Sequence, residues 1–284
     1  MRVRAPAKIN LSLRVAGTRA DGYHELRTVF QSIDLHDELT VRRTNRALEM
    51  TCDDPACPSG RANLVWRAAE AVWTAADRSG RPRGVALHLV KRIPMEAGLG
   101  GGSSDAAAAI RALGKLWGVA RPRQRAIAIA LGADVPFFLE GGTALGLDRG
   151  DLLFRLPDRP REWVVLALPP VGVSTRAAFR WFDAARLHDR PGKVRSLETI
   201  DWQNDLEEVV ARRHPEVGVL VRALERAGAS RALMSGSGSA VFGLFVQQHA
   251  AVAAAARIEA RFPRARTVLS RTVGREAYHR LAGS

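Results

Sequence analysis

Residues 98–105 read Gly-Leu-Gly-Gly-Gly-Ser-Ser-Asp and stand between an apolar, strand-like run, Val85–Val90, and an alanine-rich helical stretch, Ala106 to Leu113. A strand that turns through glycines into a helix leaves few options. Glycine lets backbone N–H groups come close to a ligand, and the helix N-terminus adds unpaired donors with partial positive charge. The segment therefore predicts an anion site suited to phosphate. It is not a Walker loop, because the nearest downstream lysine is Lys115, deep in the helix. Nor does it complete a dinucleotide fingerprint: Ser103 replaces the third glycine, and the region after Trp117 is basic rather than acidic. A turn that merely caps a helix is the plain alternative, but caps seldom need so many glycines.

The 284-residue chain is 46% apolar, which is enough for one large or two modest cores. No apolar run approaches the roughly 20 residues that span a bilayer. The start, Met1-Arg-Val-Arg-Ala-Pro6, lacks a hydrophobic signal core, so a cytoplasmic protein without membrane attachment is expected. Cys52 and Cys57 lack neighbouring ligands for zinc and read as free thiols. The net charge of +14 is carried by scattered arginines, with lysine only at 8, 91, 115 and 193. A nucleic-acid site would want clustered charge and more aromatics. A positive field would nonetheless draw in a nucleotide or diphosphate.

Residues 8–15 alternate strictly and predict a half-buried strand whose polar face presents Lys8, Asn10 and Ser12 together. Asp21-Gly22 marks a turn, and 28–33 and 38–42 read as separate strands. Asn63 to Ala76 has helical spacing. Gln124 to Leu131 is a helix stopped by Gly132 at C′ and Pro136 beyond, which leaves Asp134 in the exit loop. Strands are expected at 143–147 and 163–168, with a Pro- and Arg-rich boundary at 157–162 between them. Helices follow near 175–186, 204–213, 216–227 and 248–261, and Ser235 to Ser239 forms a second glycine/serine loop before an apolar strand. The pattern argues α+β or α/β in two parts.

Pro6-Ala-Lys8-Ile-Asn10-Leu, Asp21-Gly-Tyr23-His24, Pro94-x3-Gly98-Leu-Gly-Gly-Gly-Ser-Ser-Asp-Ala-Ala, Gly132-Ala-Asp134-Val-Pro-Phe-Phe and Ser235-Gly-Ser-Gly-Ser resemble, in order and spacing, the motifs of the GHMP kinases. The resemblance implies an α+β fold of two domains, 1–157 and 158–284. The first would be ribosomal-protein-like, the second ferredoxin-like, with the active site in the cleft between. Pro6-Ala-Lys8-Ile-Asn10 followed by Asp21-Gly-Tyr23-His24 narrows the resemblance to one branch of that family, and so implies phosphoryl transfer from ATP to a tertiary hydroxyl of a cytidine-diphosphate-linked methylerythritol, with no nucleic-acid or obligate protein partner.

By that resemblance Asp134 is the catalytic aspartate, either a general base or an orienting acceptor for the substrate hydroxyl. Lys8 would hold Asp134 ionised and stabilise charge developing on the transferred group. Asn10 would either bond the substrate or hold Lys8. Tyr23 and His24 match a cytidine-recognition pair, Phe179 a second aromatic wall, and Thr175 a hydroxyl contact. Pro94, Gly98, Leu99, Gly100, Gly101, Gly102, Ser103 and Ser104 would wrap the triphosphate. Asn63 and Lys91 match positions near the adenine, although a solvated charge is the bland reading of Lys91. Asn204-Asp205 reads as a helix cap. Mg²⁺ is expected to arrive with the nucleotide, since the motifs contain no clear carboxylate pair for it. Two rivals stay open: a GHMP kinase acting on mevalonate, homoserine or a sugar, and a basic RNA-binding module.

Overall fold

The structure, a computed structural model, describes residues 1–185 and 201–283. Its first sheet is built on a hairpin, β1 (Arg2–Thr18) antiparallel to β2 (His24–Ala47). The other edge of β2 pairs with β4 (Arg83–Val90) along its second half and with β5 (Thr143–Leu147) at Thr28–Gln31. Outer strands β3 (Glu49–Cys52) and β6 (Leu152–Arg155) complete it. Helices α1 (Leu64–Ala75), α2 (Gly101–Trp117) and α3 (Arg121–Leu131) cover it, and α4 (Phe137–Glu140) follows the Asp134 turn.

The second sheet runs β10-β7-β9-β8 and is antiparallel throughout. It comprises β7 (Trp163–Leu168), β8 (Arg231–Met234), β9 (Val241–Phe245) and β10 (Arg266–Arg271). In chain order this is 4-1-3-2, and with α8 (Gln248–Arg261) crossing between β9 and β10 it is the ferredoxin-like arrangement. Helices α5 (Thr175–Ala184), α6 (Glu207–Arg213) and α7 (Pro215–Arg226) lie between β7 and β8 in sequence. The last helix, α9 (Arg275–Ala282), returns to pack on β1 and β2.

A shared core joins the two sheets. Ala7, Ile9 and Leu11 of β1 meet Val164 and Leu166 of β7 and Phe242 and Leu244 of β9. The opposite face of β7, Val165 and Ala167, packs on the helices of the second half. Here the expectation of a half-buried β1 fails, because Lys8, Asn10 and Ser12 are also buried, the first two lining an interior cleft. Two strands were expected across 28–42, but β2 is continuous. The polar residues that interrupt its pattern have work elsewhere. Asp37 accepts the amides of Arg92 and Ile93, and Asp34 accepts the amide of Arg271 and the hydroxyl of Ser270. A carboxylate pairing with main-chain N–H groups of a neighbouring element satisfies buried donors, and that keeps such residues inside a strand.

Three further details differ from expectation. Helix α2 starts inside the glycine run at Gly101, not at Ala106. Gly132 has φ 170°, extended rather than left-handed, because the chain turns at once into Val135, whose amide bonds Gly132 O at 3.1 Å. Asn204 is a joint more than a cap. Its Oδ1 accepts Leu206 N, while its Nδ2 donates to Met234 O and Gly236 O, both at 2.8 Å. Residue 186, the expected end of the helix from 175, lies outside the described residues.

Candidate active site

The strand β1 delivers Lys8 to the bottom of a cleft of about 1060 Å³ lined by both halves of the chain. Its Nζ donates to Asn10 Oδ1 at 2.6 Å and to Gly98 O at 2.9 Å, and lies 3.5 Å from Asp134 Oδ2. Burial pushes the Lys8 ammonium below the ordinary lysine value, and Asp134 opposes that shift. Asn10 is fixed from its other end: Nδ2 donates to Thr28 Oγ1, whose hydroxyl donates to Ser12 O. Asn10 thus bonds Lys8 and also lines the cleft. Asp134 keeps about a third of its side chain exposed and faces the cleft.

The glycine run closes over Lys8. Gly98 and Gly100 have φ of +73° and +72°. A Cβ at Gly98 would collide with Ser235 O, and one at Gly100 would come within 2.7 Å of the Phe138 ring. Side chains are excluded there for two reasons, conformation and space. The first turn of α2 leaves the amides of Gly101, Gly102 and Ser103 without helical partners at the cleft, a donor set that fits a phosphate group. The second glycine loop reaches in from the other half, with Ser235 Oγ donating to Gly98 O and accepting Asn10 N.

At the far end, His24 stacks on Phe179 with centroids 4.6 Å apart and planes 21° off parallel. His24 Nε2 is 2.7 Å from Asp183 Oδ1. Tyr23 stands 56% exposed at the mouth with the Arg149 guanidinium 5.3 Å from its ring centroid. Thr175 Oγ1 lies 3.2 Å from Ser237 Oγ, which joins the aromatic end to the second glycine loop.

The cleft thus gathers Lys8, Asn10, Tyr23, His24, Lys91, Pro94, Gly98 to Ser103, Asp134, Thr175 and Phe179. Two residues expected with them do not line it. Ser104 is fully buried and donates to Pro6 O at 2.7 Å, tying α2 to β1. Asn63 caps α1 by accepting Val65 N, while its amide donates to Pro58 O and Cys57 Sγ. Lys91 is not a solvated charge. Its ammonium is buried against Asp37 and lies 2.7 Å from Asp105 Oδ2. Burial disfavours this ammonium, but the two carboxylates prevail and raise its pKa. Burial likewise pushes Asp105 up to about 8, against the pull of Lys91.

Arg149 and Asp183, which no sequence motif singles out, also line the cleft. Asp183 was within reach of the sequence, because Thr175, Phe179 and Asp183 recur every four residues and so share one face of α5. Arg149 sits in a tight turn whose direction no local pattern encodes. Cys52 and Cys57 are free thiols, and burial pushes the Cys52 thiol up to about 12. Among the described residues no three His, Cys, Asp or Glu side chains gather as a metal site, and no helix is long and apolar enough to cross a membrane.

Residues 63–142 match the family described as GHMP kinases N terminal domain, and residues 183–264 match GHMP kinases C terminal. Fold and site therefore define a GHMP kinase, of a class that uses ATP. A 4-diphosphocytidyl-2-C-methyl-D-erythritol kinase of Solibacter usitatus is 45% identical over 265 residues, covering 87% of this chain and 82% of that one. The enzyme of the same name from Moorella thermoacetica is 42% identical over 95% of this chain and 98% of its own. A crystal structure of 4-(cytidine 5'-diphospho)-2C-methyl-D-erythritol kinase superposes with a TM-score of 0.80 at 37% identity, covering 96% of this chain and 100% of that one. The chain belongs to the 4-diphosphocytidyl-2-C-methyl-D-erythritol kinase family.

Proposed function

We propose that this chain phosphorylates the C2 hydroxyl of 4-diphosphocytidyl-2-C-methyl-D-erythritol, giving the 2-phosphate and ADP, a step of non-mevalonate isoprenoid precursor synthesis. The observation that carries the reading is the Lys8 ammonium, shared between Gly98 O of the glycine loop and the Asp134 carboxylate. It puts a cation and a proton acceptor beside the donors that would hold a transferable phosphate.

ATP, when bound, supplies the γ-phosphoryl group. The amides of Gly101 to Ser103 hold its phosphates at the helix N-terminus. Asp134 orients the C2 hydroxyl and takes its proton as the new oxygen–phosphorus bond forms and the bond to the β-phosphate oxygen breaks. Lys8 stabilises the charge that gathers on the transferred group. Tyr23, His24 and Phe179 recognise the cytosine, a π face and ring nitrogens against a flat heterocycle. Among the described residues no three acidic, His or Cys side chains gather to hold a cation, and magnesium would come bound to the nucleotide. Asn63 and Ser104 would then act by supporting α1 and α2. The division into 1–157 and 158–284 is kept with one amendment, that α9 serves the first unit.

Purified chain given Mg-ATP and this substrate releases ADP, and phosphorus NMR finds a new phosphomonoester on C2. Phosphorylation of mevalonate or homoserine in place of this substrate would favour the other acceptors. Salt-sensitive RNA binding without ATP turnover would favour the RNA-binding alternative.

A further inference from the structure

Phe138 has a fully buried ring and a carbonyl that serves two donors. Its oxygen accepts Tyr278 Oη at 2.6 Å and also Arg111 Nη1. Arg111 belongs to α2, the helix that opens in the glycine run; Tyr278 belongs to α9, in a segment beyond both matched stretches. Tyr278 is wholly buried, and a Cβ on Gly141 would strike its ring, so its place leaves no slack. The Phe138 ring lies behind the glycine loop, against Gly100, where a Cβ would meet it at 2.7 Å. Four residues upstream, in the turn that leads into α4, is Asp134. Phe137, the neighbour of Phe138, packs on Phe30 at 4.9 Å, and Phe30 lies under the Lys8 ammonium, 5.6 Å from ring centroid to Nζ.

We infer that Tyr278 is a positioning residue: through the Phe138 carbonyl, its hydroxyl sets the Asp134 turn relative to Lys8. The inference rests on the catalytic reading of Asp134. Two donors from different helices on one buried carbonyl fix it against sliding along either helix axis. Losing one leaves the turn free to shift, and a misplacement of about 1 Å at a reacting group can cost about a hundredfold in rate. Tyr278→Phe keeps the ring and its packing and removes only the bond.

The test is steady-state kinetics of Tyr278→Phe beside the wild type, with thermal unfolding of both. The expected result is a kcat lower by about tenfold, with KM for ATP and for the cytidine substrate changed less than about twofold. In an Asp134→Asn background the same substitution should take nothing further from the residual single-turnover rate. Unchanged kcat in a folded variant, a loss confined to KM, or an equal loss in the Asp134→Asn background would overturn the inference. Should Tyr278→Phe not fold, Arg111→Met, which removes the other donor, decides it by the same readouts. An inactive wild type would instead overturn the kinase reading itself, so the two failures are distinguishable.

Discussion

The Lys8 ammonium donates to the carbonyl of Gly98 at 2.9 Å, and the same carbonyl receives the Ser235 hydroxyl at 3.0 Å. One peptide oxygen therefore joins strand β1, the glycine loop and the second glycine loop. The cation that faces Asp134 is thereby tied to the loop that would carry the phosphates. Its position is set by the meeting of the chain's two halves, not by β1 alone.

Gly98→Ala breaks that joint. Alanine must adopt φ near +73° and push its methyl into Ser235 O, a backbone atom with no room to retreat. A loss of about 2–4 kcal/mol in unfolding free energy is expected. Nucleotide affinity should fall at least about tenfold. Denaturant unfolding and titration calorimetry with ATP measure the two. Wild-type affinity in the variant would contradict the placement of the loop.

Asp134→Asn keeps the size of the side chain and removes its charge and its basicity. The rate of ADP release should drop by about a thousandfold, with the melting temperature within a few degrees of wild type. A variant that keeps most of its rate would remove Asp134 from the mechanism.

Lys8 has its pKa lowered from 10.5 by burial, with Asp134 opposing. As pH rises through that lowered value the ammonium is lost and kcat should fall, so the alkaline limb lies below 10.5. In Lys8→Arg the guanidinium stays charged and the limb should vanish, at a lower overall rate because the fork does not fit three converging acceptors. A pH–rate profile of both proteins checks this. An identical alkaline limb in the two would exclude Lys8 as its source.

Asp105, beside Lys91 and Asp37, is pushed up to about 8 by burial. The folded chain holds a proton there that the unfolded chain releases near 4. The stabilisation is complete below about 4 and is lost as pH rises towards 8. Asp105→Asn has no such proton to lose. Its stability relative to wild type should therefore climb as pH is raised from 5 to 9, a trend that melting curves across that range would reveal. Parallel curves would show that Asp105 is ionised throughout.

Phe179→Ala removes the ring stacked on His24. KM for the cytidine substrate should rise by about ten- to a hundredfold, the range of a lost base–aromatic stack, while KM for ATP stays put. An equal rise in both would place the ring outside substrate recognition.

Local pattern made much of this legible. Strands 143–147 and 163–168 matched their apolar runs, and alternation in β1 put Lys8 and Asn10 on one face. The glycine run announced an anion site because strand, turn and helix N-terminus are all short-range features. Period, turn chemistry and capping are properties of neighbours in sequence, so a single chain carries them openly.

Other facts depended on partners far away along the chain. Local sequence left Lys91 open between a contact near the adenine and a solvated charge, and neither reading foresaw that Asp37 and Asp105 close on it. Ser104 looked like part of the phosphate cradle, yet its hydroxyl turns to Pro6. Asn63 turns to its own helix start, and Tyr278 gave no sign that it reaches the Asp134 turn. The direction in which a buried polar side chain points is settled by which distant donor or acceptor must be satisfied once water is excluded. Local sequence could point to a phosphate site. Only the packed structure could assign each neighbouring side chain to the cleft or to its supports.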